Sequence, residues 1–178
     1  QDSTSKKPTV YQVMSSILYQ LDSLLGSASG KATLASLRQS IGKNVSDSVE
    51  VWSIMMDSMP EEYLGKTSNL TWEEQSILHA LQLYALYQQG ESKSILTISG
   101  GKSRENMGSA LAKLRVGEDT MAVDRRFNTM ITATTYDELI YHLRQLIQLL
   151  KSKSTNLVKI DFAKLGQDLY WFLCGRQD

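Results

Sequence analysis

Apolar residues recur at helical spacing along almost the whole chain, and this periodicity constrains the fold more than any other feature. Val10, Val13, Met14, Ile17, Leu18, Leu21, Leu24 and Leu25 follow the i, i+3, i+4, i+7 pattern, which predicts an amphipathic helix over residues 9–25. Pro8 stands at its start, where a missing N–H costs little. The stretch 26–30, with a glycine at each end, should break it. A second helix is expected over 32–41, with Leu34, Leu37 and Ile41 inward and Gly42 as its stop. A third is expected over 48–59, with Val49, Trp52, Met55, Met56 and Met59 toward the core, ended by Pro60. Pro8 and Pro60 are the only two prolines, so nothing forbids helix elsewhere.

Thr71-Trp72-Glu73-Glu74 is a capping box, with Thr at N-cap and Glu at N3, opening a helix to Gln89 that stops at Gly90. Residues 90–103 are the longest interval without helical spacing. Ile95-Leu96-Thr97-Ile98 has extended character but no visible strand partner, so it reads as a connector. Ser103 caps a helix carrying Met107, Ala110, Leu111 and Leu114, and another spans 121–133. Thr135-Tyr136-Asp137-Glu138 is a second capping box, starting a helix to Leu150 with Leu139, Ile140, Leu143, Leu146 and Ile147 inward. Asp161 caps the last helix, with Phe162, Leu165, Leu169, Phe172 and Leu173 inward. The predicted fold is all-α, about eight helices in two packed bundles, divided as 1–95 and 96–178. A chain of 178 residues buries about 70% of its unfolded surface and needs no staples.

A lone cysteine, Cys174, rules out an internal disulfide framework and a cysteine-based zinc site. No apolar run is long enough to span a bilayer. Residues 1–7 are polar and carry no secretory apolar core, although the sequence opens on Gln1, as in a trimmed chain. Together these features predict a cytoplasmic protein without membrane contact.

Charge is balanced in total, 19 cations against 19 acids, but not in distribution. Residues 44–75 hold seven acids against Lys66, a net of −6. Residues 31–43 hold three cations and no acid, and 139–164 hold five cations against Asp161, a net of +4. These blocks are either ordinary solvated helix faces or the two halves of a molecule with one basic and one acidic side.

A search for catalytic chemistry finds little. His79 lies mid-helix beside Leu78 and reads as structural, and no H-x-x-x-H pair exists with His142. Cys174 beside Leu173 reads as a buried, inert thiol. Glu61-Glu62 and Glu73-Glu74 are adjacent pairs whose side chains diverge on a helix, and they read as exposed acidic surface. Gly100-Gly101-Lys102-Ser103 resembles the end of a phosphate loop, but Leu96 stands where the first glycine must be. Asn44-Val45-Ser46 and Asn69-Leu70-Thr71 are chance sequons in a cytoplasmic chain. No metal, cofactor or enzymatic activity is expected.

What remains is a set of cations among apolar positions. Lys113 and Arg115 flank Leu114, Arg125 and Arg126 precede Phe127, and Arg144 sits in His142-Leu143-Arg144-Gln145-Leu146. Arginine presents a rigid fork of donors that suits phosphate oxygens, so such a set points to a polyanion or to salt bridges with a protein partner.

An ordered series of motifs then carries a resemblance. Leu37-Arg38 is followed by Trp52, by Gly101-Lys102-Ser103-Arg104 leading to Gly108-x-Ala110-Leu111, and by Arg125-Arg126-Phe127. His142-Leu143-Arg144-x-Leu146, Asp161-Phe162-x-x-Leu165 and Asp168-Leu169-x-Trp171 complete it. In this order, over residues 30–175, the chain resembles the CasB family, the small subunit of the type I-E CRISPR Cascade surveillance complex. The resemblance implies a non-catalytic, two-bundle helical subunit present as a pair in a crRNA-guided antiviral assembly. Its implied partners are other Cascade proteins, a second copy of itself, and the crRNA and target DNA backbones, including the displaced strand. The family's basic face maps onto Arg38, Lys43, Arg104, Lys113, Arg115, Arg125, Arg126 and Arg144, with Lys31 and Lys102 secondary. Guide pairing reads the sequence in such assemblies, so these cations should hold backbones.

The chain departs from the family in being neutral overall and in carrying Gln39 and Gln145 where some members have a second cation. Two fewer contacts to a single strand flatten the log–log salt slope by about 1.4, so the free subunit should bind nucleic acid poorly. A helical adaptor that binds only proteins remains the competing reading. A nuclease would need clustered acids or histidines.

Overall fold

The computed structural model describes residues 6–98, 120–153 and 157–175. Among them are seven α-helices: α1 Val10–Ser23, α2 Ala28–Gln39, α3 Val49–Met56, α4 Trp72–Gln88, α5 Thr120–Ile131, α6 Tyr136–Lys153 and α7 Phe162–Leu173. Short 3-10 turns lie at Val45–Asp47 and Glu61–Tyr63. The protein is all-α; the helix expected from Ser103 lies outside the described residues.

Local chemistry sets the helix starts. Thr9 Oγ1 accepts from Gln12 N at 3.2 Å while Gln12 Oε1 accepts from Thr9 N at 2.9 Å, a capping box that fixes α1. The box at Thr71 is also reciprocal, with Thr71 Oγ1 accepting from Glu74 N at 3.1 Å and Glu74 Oε2 from Thr71 N at 2.7 Å. The box at Thr135 is only half as expected. Thr135 Oγ1 accepts from Glu138 N at 3.2 Å, but the Glu138 carboxylate turns one residue further back, to Thr134 N at 3.0 Å. Asp161 Oδ1 caps α7 by accepting from Lys164 N at 2.9 Å.

The α2 start corrects the sequence reading. Ser27 is the N-cap, its hydroxyl accepting from Gly30 N at 2.9 Å, so the helix begins inside the stretch read as a break. Gly30 is there for close approach. A Cβ on it would fall 2.1 Å from the Leu24 carbonyl oxygen, so glycine lets the first turn of α2 fold back on the end of α1.

The core is built around α4, which is buried on nearly every side. Helix α7 packs against both α4 and α1. Gly166 permits this contact, since a Cβ there would meet Met14 Cγ at 2.9 Å. Phe162 sits edge-on to Tyr84 at 5.8 Å between ring centroids and tilted to Tyr87 at 5.9 Å, and all three are fully buried. Burying a side chain of this size contributes about 1.5–3 kcal/mol. Through α7 the hydrophobic core joins the early and late parts of the sequence.

The connector after α4 has a partner that the sequence reading missed. Leu96 pairs with Ile160 in an isolated parallel bridge, with Thr97 N donating to Ile160 O at 3.2 Å and Ile160 N to Ile95 O at 3.0 Å. The partner lies so far along the chain that no local pattern could indicate it.

Helix α6 packs on α4 through Leu143, Leu146, Ile147 and Leu150, and α5 lies against α6. On α5 only Val123 is buried among the described side chains. Val49, expected inward, is 75% exposed, because as the first residue of a two-turn helix it stands at the rim of a groove. No helix among the described residues is long and apolar enough to cross a membrane.

Candidate nucleic-acid interface

The α2–α3 segment, the loop before α4, α4 itself and the first half of α6 enclose a groove of about 690 Å³. Leu78 and Gln82 of α4 are buried at its base. Lys43 enters from the α2–α3 connector, Trp52 from α3, and Tyr141 and Arg144 from α6. Lys43 and Arg144 are exposed, and neither side chain makes an ion pair or hydrogen bond among the described residues. Two of the cations expected on the basic face are thereby brought together from distant parts of the chain.

The groove also carries His79, beside the carboxylates of Glu74 and Asp137. His79 Nδ1 shares a 2.8 Å hydrogen bond with the Tyr136 hydroxyl. Burial lowers the imidazole pKa to about 4, the nearby Asp137 charge opposing this only in part, so the ring is neutral at pH 7. Burial likewise raises the Tyr136 phenol, with Asp137 adding to the effect.

The other expected cations lie elsewhere. Arg125 and Arg126 are exposed on α5. Arg126 Nη1 reaches Gln145 Oε1 at 3.5 Å, beside Arg144 in sequence, whereas Arg125 lines a separate shallow depression with Met121, Asn128 and Thr132. Arg38 is half-buried and donates from Nη1 to the Ala85 carbonyl at 3.3 Å. Next to it, Lys151 donates to the Tyr87 carbonyl at 2.8 Å and also to that of Gln89. Helix α4 has no basic residue in its own last turn, and these two cations from α2 and α6 supply donors and positive charge to its C-terminal carbonyls. Lys151 is the residue sequence reasoning passed over; only its place in the basic 139–164 block pointed to it. Lys31 is exposed on α2. Lys102, Arg104, Lys113 and Arg115 lie outside the described residues.

The acidic block divides. Asp47, Glu50, Asp57, Glu61 and Glu62 are exposed along α3 and its flanking turns. The pair Glu73-Glu74, read as exposed, is not. Glu74 is 2% exposed and also accepts from Gly65 N at 2.9 Å, holding the loop before α4 against the helix. Glu73 is largely covered and pairs with Lys7 at 3.2 Å. Both carboxylates are drawn inward because they sit in the first turn of α4, where unpaired N–H groups and the helix dipole favour negative charge. Cys174 is half-buried rather than buried. Among the described residues no three His, Cys, Asp or Glu side chains gather as a metal site requires.

A family model for CRISPR-associated protein Cse2 matches residues 33–178. The chain belongs to the Cse2 family. The matched span holds every cation of the groove and of α5, while α1 lies upstream of it. The crystal structure of CasB from Thermobifida fusca has the same fold, with a TM-score of 0.69, 24% identity, and coverage of 92% of this chain and 87% of that one. No curated protein matches. Membership of the Cse2 family makes this chain a subunit of a CRISPR Cascade complex.

Proposed function

We propose that this Cse2 protein is a non-catalytic subunit that steadies the guide RNA–target DNA R-loop and the displaced strand by holding phosphates, as part of antiviral defence in the cytoplasm. The observation that carries this reading is the meeting of Lys43 and Arg144 in one groove with neither charge paired among the described residues. Some cations elsewhere are taken up internally, as Lys164 is by Asp168 at 3.0 Å and Lys7 by Glu73 at 3.2 Å. Unpaired cations on an exposed face suit a polyanion, and backbone contact without base-edge readout fits an assembly in which guide pairing reads the sequence. Arg126, which reaches Gln145 beside Arg144 in sequence, and Arg125, in its separate depression on α5, are further exposed cations for such contacts. A second copy of the chain and the other Cascade proteins are its protein partners.

The adaptor reading draws on a different observation. The five exposed carboxylates of α3 and its flanking turns would repel a phosphate backbone, so that side of the molecule suits a basic protein partner. Charge reversal separates the two. K43E/R144E and R125E/R126E subunits are assembled with the other Cascade proteins, and R-loop binding is measured. Intact assembly with weakened R-loop binding supports phosphate contact; loss of assembly supports the adaptor.

A further inference from the structure

Asp137, Tyr141 and Arg144 all line the groove and all belong to α6. Their spacing, i, i+4 and i+7, puts them on one face of the helix over two turns, a rise of about 10 Å from the first to the last. A carboxylate thus stands at one end, a 60% exposed aromatic ring in the middle and a guanidinium at the other end. Trp52 and Lys43 add a second ring and a second cation from the α2–α3 side. The volume of about 690 Å³ is that of a small-molecule site, larger than bare backbone contact calls for. The buried residues of the lining are apolar Leu78, the Gln82 amide and the Glu74 carboxylate, with the neutral His79 imidazole beside them, none of which adds a positive charge for a phosphate.

We infer that this groove seats one unpaired nucleotide carrying an exocyclic amine, its phosphate on Arg144 and Lys43, its ring against Tyr141 and its amino group toward Asp137. The order of groups along α6 matches the order of groups in such a nucleotide, and the separation of the two charges is comparable to the reach from a base edge to its own phosphate. Two features argue against a purely electrostatic rim. A carboxylate at the groove would oppose a second phosphate, and an exposed tyrosine contributes stacking to any base in reach. The inference deepens the proposed function and rests on it.

The test is an abasic scan of the unpaired strand in R-loops bound by the fully assembled complex. Removing the base at the seated position should weaken wild-type binding about tenfold, the scale of one base–aromatic stack. The same removal should change binding less than twofold with Y141A, and Y141F should restore the sensitivity. Placing thymine at that position should weaken binding by the wild type but not by D137N. Because Tyr141 is exposed, its truncation leaves the core intact. A flat scan, with K43Q/R144Q still weakening binding, would overturn the nucleotide seat and leave backbone contact standing. A flat scan with K43Q/R144Q also silent would overturn both. Loss of assembly with Y141A would mean that the groove takes a protein segment, which also overturns the seat.

Discussion

Lys151 donates its ammonium to the carbonyl of Tyr87 at 2.8 Å, closing the C-terminus of the central helix from a helix that begins 64 positions after Trp72. Arg38 does the same from α2 at Ala85. Charge-assisted hydrogen bonds of this kind contribute about 1.5–3 kcal/mol when well made, and partial exposure of Lys151 lowers that. K151M is therefore expected to cost about 1–2 kcal/mol, a fall in Tm of roughly 3–6 °C for a chain of this size. R38M should cost a similar amount. Thermal melts of the purified subunit check both, and an unchanged Tm would mean that water serves these carbonyls equally well.

Glu74 is the more sensitive acid. Its carboxylate, 2% exposed, accepts from the backbone N–H groups of Thr71 and Gly65, so removal takes a charged partner from both and loosens the loop before α4. E74A is expected to destabilise by about 2–3 kcal/mol, and E74Q, which keeps one acceptor oxygen, by about half as much. Urea unfolding measures both. Truncation of exposed Glu61 or Glu62 should change stability by less than about 0.5 kcal/mol.

These two carboxylate pairs show how far the sequence could be read. The capping box at Thr71, the N-cap at Asp161, the helix periods and most core positions were legible, because each depends on neighbours within four residues. The family was legible from motif order. The inward turn of Glu73 was not, because its partner Lys7 comes from the other end of the sequence. Gly30 and the Leu96–Ile160 bridge failed for the same reason: a glycine that permits close approach looks like one that breaks a helix, and a single bridge has no local period. Of the expected cations, Lys43 and Arg144 could be named from sequence, but their meeting in one groove depends on how α6 lies on α4.

His79 should give the protein a pH dependence. Its folded pKa of about 4 lies below the ordinary 6.5, so the unfolded chain binds the proton first as pH falls. Stability from this residue is complete above pH 6.5 and declines as pH drops toward 4, at up to about 1.4 kcal/mol per pH unit. Between pH 6.5 and 5 the wild type should lose roughly 1–2 kcal/mol more than H79N, which cannot titrate. Denaturant melts at the two pH values check this; parallel losses in both proteins would place the dependence elsewhere.

The most direct test of phosphate holding by Lys43 and Arg144 is the salt dependence of R-loop binding by the assembled complex. K43Q/R144Q removes both charges without introducing repulsion. If each cation holds one phosphate of a single strand, the slope of log K against log salt becomes shallower by about 1.4, with assembly unchanged. A slope identical to that of the wild type would contradict the proposed function, since a contact that releases no counterions is not a phosphate contact.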